Sequence, residues 1–167
     1  MTKLKQEYIN WFYQSKIPNP VFITFSEKQV FNSVNNYGEN IKTYINNELS
    51  SKNFKHFSNL LNKKLFKKSF HRFNKRLQTF ISHETTGDNR HHIHGIIEQP
   101  TWIDNIKFDK LVSELFAKTD YGYRHHHITR AHEHEDGLRG WVGYMLKEKT
   151  NNDFSLWVDL ENCYLSS

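Results

Sequence analysis

The stretch from His91 to Glu98 reads His-His-Ile-His-Gly-Ile-Ile-Glu, and it constrains the fold more than any other part of the chain. Side chains alternate across a β-strand, so His92 and His94 should lie on one face while Ile93 and Gly95 lie on the other. Two neighbouring imidazoles can bind a divalent metal, although a His-x-His pair alone is a weak motif. The sequence therefore predicts a strand with one buried apolar face and a candidate metal site on the other.

Length and composition place the chain among globular domains. Its 167 residues fit a single domain, 1–167, and only 3 prolines and 7 glycines leave little room for a flexible linker. No apolar run approaches the roughly 20 residues that span a bilayer, and the first residues do not resemble a secretory signal. The single cysteine, Cys163, excludes an internal disulfide and fits a reducing compartment. We therefore expect a soluble intracellular protein with no membrane partner.

Hydrophobic periodicity predicts a mixture of helices and strands. Helices are predicted near 1–16, from Ile41 to Leu49, from Asn59 to Arg76, from Ile106 to Ala117 and from Leu138 to Lys149. Strands are predicted from Val21 to Phe25, from Leu77 to Ser82, from His91 to Glu98 and from Tyr123 to Ala131, the second and third forming a hairpin. This order indicates an α+β fold with a central antiparallel sheet flanked by helices.

Positive charge is concentrated in one segment. No Asp or Glu occurs between Glu48 and Glu84, where nine basic residues fall: Lys52, Lys55, Lys63, Lys64, Lys67, Lys68, Arg72, Lys75 and Arg76. A one-sided basic segment is typical of a protein that binds a polyanion such as nucleic acid. The alternative is an ordinary solvated helix face.

Acidic and phenolic residues on either side of the His-x-His pair suggest its chemistry. A metal that meets phosphate usually has a hard oxygen ligand beside its nitrogens, and strand pairing could bring Glu84 to the face of the two histidines. His83 competes for that position, because only one of the two neighbours can face that side.

Tyr144 and Lys147 lie three residues apart on a predicted helix, so they share a helix face. A tyrosine at its ordinary pKa near 10 becomes a useful nucleophile when a metal polarises the phosphate and a lysine meets the developing charge; otherwise Tyr144 is a core aromatic.

Three segments together resemble a known superfamily. They are Val21-Phe22-Ile23-Thr24-Phe25, His92-Ile93-His94 and Tyr144-Met145-Leu146-Lys147. In this order they are similar to the three motifs of the HUH endonucleases, and most of all to the single-tyrosine replication initiator (Rep) proteins of rolling-circle plasmids, phages and small circular single-stranded DNA viruses. The resemblance covers roughly residues 20–150, preceded by the helix near 1–16 and followed by a short extension, 151–167.

The resemblance implies a fold and an activity. It implies about five antiparallel strands, dependence on Mg²⁺ or Mn²⁺, and sequence-specific nicking and joining of single-stranded DNA through a covalent 5′-phosphotyrosine that leaves a free 3′-hydroxyl. By position, His92, His94 and Glu84 match the metal ligands, Tyr144 the nucleophile and Lys147 its supporting lysine. The residues expected to contact DNA at an origin or hairpin are Thr24, Lys63, Lys64, Lys67, Lys68, Arg72, Lys75 and Arg76.

The same resemblance bounds the partners. The chain has one tyrosine in the nucleophile motif, so rejoining needs a second event or a second subunit, and a homo-oligomer is one expectation. No Gly-x-x-x-x-Gly-Lys-Ser/Thr motif occurs, so unwinding and synthesis would depend on a host helicase and polymerase. The expected compartment is the cytoplasm, or the nucleus for a eukaryotic replicon.

Several alternatives remain open at this point. A small HUH transposase would use the same residues. A histidine-triad nucleotide hydrolase needs a third alternating histidine where this chain has Ile96, and a two-histidine phosphoesterase needs a second motif like His127-Ile128-Thr129. The non-enzyme alternative is a basic single-strand-binding module. A second histidine cluster could hold metal or be structural: His125, His126, His127, His132 and His134.

Overall fold

The structure is a computed structural model that describes residues 3–86, 90–130, 137–146 and 156–166. Its helices are α1 (Lys3–Ser15), α2 (Asn47–Phe66), α3 (Lys68–Phe73), α4 (Asn105–Phe116) and α5 (Gly137–Met145). Its strands are β1 (Pro20–Glu27), β2 (Val30–Val34), β3 (Asn40–Tyr44), β4 (Thr79–Thr85), β5 (His91–Glu98), β6 (Gly122–Arg130) and β7 (Leu156–Val158). None of the helices in these ranges has the length and apolar character needed to cross a membrane.

One antiparallel sheet organises the chain. Its strands lie in the order β6-β1-β5-β4-β7, and β2 pairs with β3 in a separate hairpin. Without that hairpin, the succession β1-α2-β4-β5-α4-β6 is the split βαβ arrangement, in which the strand carrying the histidines is central. The predicted fold class, an antiparallel sheet flanked by helices, is confirmed.

Alternation along the strands gives the sheet two apolar faces. The face toward α2 and α4 buries odd-numbered residues such as Ile23 and Ile93 against Phe54, Phe57 and Phe116. The opposite face buries even-numbered residues against α1 and α5: Phe22, Phe80 and Ile96 pack with Phe12, Trp141 and Met145. Each such side chain contributes about 1.5–3 kcal/mol when it leaves water, so both faces help to fix the strand register.

The predicted helix from Ile41 to Leu49 is wrong. This region instead forms the second strand of the β2–β3 hairpin and then the start of α2. The hairpin turn is stabilised by Asn35, whose side-chain oxygen accepts hydrogen bonds from the backbone of Tyr37 and Glu39, and by Gly38 at φ +82°. The side chain of Asn46 caps α2 by accepting a hydrogen bond from the Leu49 backbone, so the helix cannot begin earlier.

The predicted helix from Asn59 to Arg76 is divided in two. Lys67 has φ 48° and ψ −117°, which ends α2 and starts the short α3 at a new angle. Because of this break, Phe73 does not continue the buried apolar face of α2 and is 78% exposed. The predicted strand from Leu77 to Ser82 begins later, at Thr79, since the Leu77 backbone donates to the Asn62 side chain instead of a neighbouring strand.

Two glycines provide a test of the packing. A Cβ on Gly95 would lie 2.6 Å from Ile81 Cδ1 and 3.1 Å from Ile23 Cγ1, whereas a Cβ on Gly143 would meet nothing within 4 Å. We expect Gly95→Ala to lower the free energy of unfolding by about 1–3 kcal/mol through overpacking. Gly143→Ala should raise it by up to about 1 kcal/mol through helix propensity. Chemical denaturation of both variants measures the difference, and equal effects would contradict the packing described for β5.

Candidate active site

The register of β5 brings polar side chains together at one end of the sheet. Thr24 on β1 and Ser82 on β4 pair with His94, while Ser26 and Glu84 pair with His92. All six residues occupy even-numbered positions, and therefore the face that α1 and α5 cover further along the strands. The sheet thus places two imidazoles, three hydroxyls and one carboxylate on a single surface.

The hydroxyls of β1 orient the two imidazole rings. Thr24 Oγ1 lies 3.1 Å from His94 Nδ1, and Ser26 Oγ lies 3.3 Å from His92 Nδ1. The two rings are close to parallel, with centroids 6.5 Å apart and an interplanar angle of 29°. Because the Nδ1 atoms face β1, the Nε2 atoms lie on the other side of each ring, as in metal sites where a second group fixes the ligand.

Glu84 completes a nitrogen–oxygen pair with His94. His94 Nε2 and Glu84 Oε2 are 2.8 Å apart, and both side chains are buried. Adjacent ligands of Mg²⁺, bound at about 2.1 Å in an octahedral shell, are about 3 Å apart, so this pair fits one edge of such a shell. Within the described ranges no three His, Cys, Asp or Glu side chains form a complete metal-binding group. The described residues therefore offer a hard divalent cation two adjacent donors, on His94 and Glu84, and His92 does not complete a three-residue group with them.

His83 lies on the other face of the sheet. Its Nδ1 is 2.6 Å from Ser50 Oγ and its Nε2 is 2.7 Å from Asp159 Oδ2. The structure thus places Glu84, and not His83, beside the histidine pair. The order serine, histidine, aspartate resembles a hydrolytic triad, but all three side chains are buried beneath α2, where no substrate can reach the serine. Their arrangement connects α2, β4 and the segment after β7.

The tyrosine of α5 stands beside the same histidine. Trp141 stacks on Phe22 with centroids 5.0 Å apart, and its Nε1 donates to the Gly95 carbonyl at 3.3 Å, which fixes α5 to β1 and β5. Tyr144 follows one turn later, with its ring 5.2 Å from the His94 ring at 85° and 49% of its surface exposed. It is therefore not the core aromatic of the alternative reading. Lys147 lies outside the described residues.

The basic segment is remote from this surface. Ser50, near the start of α2, contacts Glu27 and His83 at the histidine end of the sheet, whereas Asn62 contacts the backbone just before β4 at the other end. At about 1.5 Å per residue, Lys63 lies roughly 20 Å farther along the helix. Since α2 also covers the opposite face, the structure does not bring these lysines and arginines to the histidines and Tyr144.

The second histidine cluster is divided by strand alternation. His127 pairs with Thr24 and is exposed on the site's face, while His126 Nε2 lies 2.6 Å from Ser113 Oγ under α4. His125 is exposed beside Tyr123, and His132 and His134 lie outside the described residues. The described histidines of this cluster therefore do not form one site.

Cys163 is unsuited to nucleophilic chemistry. Burial raises the pKa of its thiol to about 12, and the sulfur accepts a hydrogen bond from the Ile81 backbone. A thiol with such a pKa is protonated at neutral pH and therefore unreactive.

Sequence reasoning missed two residues of this site. Ser26 orients His92, and its position two residues after Thr24 on a strand could have indicated the shared face. Trp141 belongs to none of the motifs above, and no sequence signal indicates its hydrogen bond to the Gly95 carbonyl.

Comparisons with models of protein families, with curated proteins and with solved structures find no match for this chain.

The carboxyl group of Glu27 gives a pH-dependent prediction. Burial raises its pKa from 4.5 to about 7, although hydrogen bonds from Ser50 and Asn53 oppose the shift. The folded state therefore favours the protonated carboxyl group. The stabilisation that this preference gives to the folded state is complete below pH 4.5 and is lost as the pH rises through 7. Gln cannot ionise and so does not lose this stabilisation. At about 1.4 kcal/mol per pKa unit, we expect the free energy of unfolding of Glu27→Gln to rise by about 3 kcal/mol relative to that of the wild type between pH 4.5 and 8.

Urea denaturation across this pH range measures the gain. Glu114→Gln, at an exposed position of α4, is the control and should show no comparable trend. If the free energies of unfolding of the wild type and Glu27→Gln differ by the same amount at every pH, the raised pKa of Glu27 is contradicted.

Proposed function

We propose that this chain is a metal-dependent endonuclease and strand transferase that cuts single-stranded DNA by transesterification to Tyr144. The observation that carries the proposal is the placement of a half-exposed tyrosine ring 5.2 Å from a histidine whose Nε2 lies 2.8 Å from a carboxylate oxygen. A phenol, an imidazole and a carboxylate on one surface are the groups that this reaction needs.

The reaction balances without a further co-reactant. The Tyr144 oxygen forms a bond to phosphorus, and the bond from phosphorus to the 3′ oxygen of the preceding nucleotide breaks. The phenolic proton is lost and the departing 3′ oxygen takes up a proton. The products are a 5′-phosphotyrosine and a free 3′-hydroxyl, and because the number of phosphoester bonds is unchanged, the reverse reaction rejoins the strand.

The residues of the chain have separate roles in this proposal. Thr24 and Ser26 hold the imidazoles of His94 and His92, and Glu84 provides the oxygen donor. When bound there, Mg²⁺ or Mn²⁺ would neutralise the charge of the non-bridging phosphate oxygens and orient the phosphate. Lys147 is proposed to stabilise the phenolate.

The biological role that we propose is initiation of rolling-circle replication. The released 3′-hydroxyl can prime synthesis, which would require a host polymerase and helicase, and a second subunit or second event would complete rejoining. An HUH-type transposase would carry out the same chemistry, so the DNA that the protein cuts separates these two roles.

Tyr144→Phe tests the reaction directly. The variant keeps the ring but removes the nucleophilic oxygen, so cleavage and the covalent adduct should be lost while DNA affinity is retained. A labelled pool of single-stranded oligonucleotides with Mn²⁺, analysed on a denaturing gel, detects the adduct as a shifted band.

Two controls accompany this experiment. Tyr13→Phe changes another partly exposed tyrosine, on α1, and should leave the adduct unchanged. EDTA should abolish the wild-type adduct, because the cation is removed. An adduct that persists in Tyr144→Phe would refute the proposed nucleophile, and wild-type DNA binding with no adduct under any metal would favour the single-strand-binding module.

The basic segment is proposed to bind DNA away from the cut. None of its seven C-terminal members forms a salt bridge with a described acidic residue, whereas Lys52 and Lys55 pair with Glu48 and Glu161. The seven are Lys63, Lys64, Lys67, Lys68, Arg72, Lys75 and Arg76. Cation–π contacts hold Lys75 over Phe66 and Arg76 between Phe70 and Tyr164, which keeps these charges on one surface.

Changing Lys63, Lys64, Lys67 and Lys68 together to Gln should weaken binding to long DNA and reduce its salt dependence. Each lost phosphate contact lowers the slope of log K against log salt by about 0.7–0.9. Cleavage of a short oligonucleotide that spans only the site should be unchanged, because the segment is remote from Tyr144. Lys52→Gln with Lys55→Gln is the matched control, and an equal loss in both variants would contradict a specific role for the C-terminal lysines.

A further inference from the structure

A cleft opens beside the histidine pair at the edge of the sheet. It has a volume of ≈660 Å³, and Ser26 and His92 of the candidate active site form part of its wall. The other walls come from the base of the β2–β3 hairpin and from the start of β6. Small-ligand pockets span about 300–1,000 Å³, so one nucleotide fits this space.

The strand pairing explains why the cleft is there. The register between β1 and β6 shifts between Phe25 and Glu27, where the two strands cease to pair regularly. Such irregularities are frequent beside functional sites, because they bend a strand and redirect its side chains. Here Ser26 has no partner on β6, and the β6 residues between Gly122 and His126, among them Tyr123 and His125, line the cleft.

The charge of the cleft suits a phosphate. Lys28 and Arg90 line it and are exposed, and Lys28 forms no salt bridge with any residue that the structure describes. The one acidic residue of the lining is Glu27, whose carboxyl group is turned away to Ser50 and Asn53 under α2. Two cations therefore line the opening, and the carboxyl group of the one acidic lining residue points away from it.

An exposed aromatic ring lines the same cleft as these cations. Tyr123 on β6 is 44% exposed, and its ring lies 5.0 Å from the His125 ring at an angle of 46°. Both side chains line the same cleft as Ser26 and His92, and so they adjoin the candidate active site. Exposed rings on a sheet surface are platforms on which a base of a single strand can stack.

We propose that this cleft holds the nucleotide adjacent to the phosphate that Tyr144 attacks, with its base against Tyr123 and its phosphate between Lys28 and Arg90. The inference rests on the proposed function, because the shared residues Ser26 and His92 make the cleft continuous with the reacting site. It assigns to the cleft a single-stranded DNA subsite on the site's own face of the sheet, distinct from the remote basic segment.

Photo-cross-linking tests the subsite without requiring cleavage. Single-stranded DNA that contains 5-bromouracil at random positions is irradiated with the Tyr144→Phe protein in EDTA, and the linked peptides are identified by mass spectrometry. We expect linkage within β6 at Tyr123 or His125. Cross-links confined to α2 and α3, or to no peptide of the cleft, would overturn the inference.

Affinity measurements on variants provide a second readout. A stacked base contributes about 1–3 kcal/mol, so Tyr123→Leu should weaken binding of a random single-stranded pool about 5- to 150-fold, and Tyr13→Leu should not. Lys28→Gln with Arg90→Gln should reduce the salt slope by about 0.7, the value for one phosphate on a single strand, against no change for the exposed Lys16→Gln. Equal affinities of the cleft variants and their controls would refute the subsite.

The two proposals fail in different ways. If the wild type forms the Tyr144 adduct and the cleft variants bind and cleave normally, the subsite is wrong and the proposed reaction stands. If the wild type forms no adduct with any oligonucleotide, both are wrong as stated, whatever the cross-links show.

Discussion

The site depends on the pairing of β5 between β1 and β4. This register sets Thr24 and Ser82 beside His94, and Ser26 and Glu84 beside His92. A slip of one residue would turn both histidines into the α2 face and expose isoleucines in their place. The apolar residues on both faces oppose such a slip, because Ile93 and Ile96 are fully buried on opposite sides of the strand. The register of β5 thus determines both the packing of the core and the position of the polar side chains of the candidate active site.

The two faces of the sheet differ in the accessibility of their polar groups at the end that carries the histidines. Under α2, Ser50 and His83 form a buried chain that reaches Asp159, whose pKa is lowered by hydrogen bonds from His83 and Asn162 against the opposing effect of burial. The hydrogen bonds that join these three side chains are all buried, so they fix the position of α2 relative to β4 and the C-terminal segment. On the other face the polar groups adjoin a half-exposed tyrosine and an open cleft, where the proposed DNA substrate would bind.

Sequence reasoning succeeded where a pattern is local and periodic. The alternation from His91 to Glu98 predicted β5 with its bounds. It left Glu84 and His83 as alternatives beside the histidine pair, and the structure pairs Glu84 with His92. It failed where a single residue decides the path: nothing in the lysine-rich run marks Lys67 as the end of α2. It also could not show how far the basic segment lies from the histidines, because linear charge density says nothing about which face of a sheet a helix covers. The cleft was not predicted, since it arises from a register shift between distant strands.

The position of Tyr144 is a property of tertiary packing. Helix α5 is 9 residues long, shorter than the roughly 12–15 residues at which an isolated helix becomes marginally stable in water. Its place is therefore determined by Trp141, Val142 and Met145, which are buried against the sheet. Trp141 matters most, because it both stacks on Phe22 and donates a hydrogen bond to the β5 backbone. The strand that carries the histidines thus also positions the helix that carries the tyrosine, so the separation of His94 and Tyr144 is set within one packed unit.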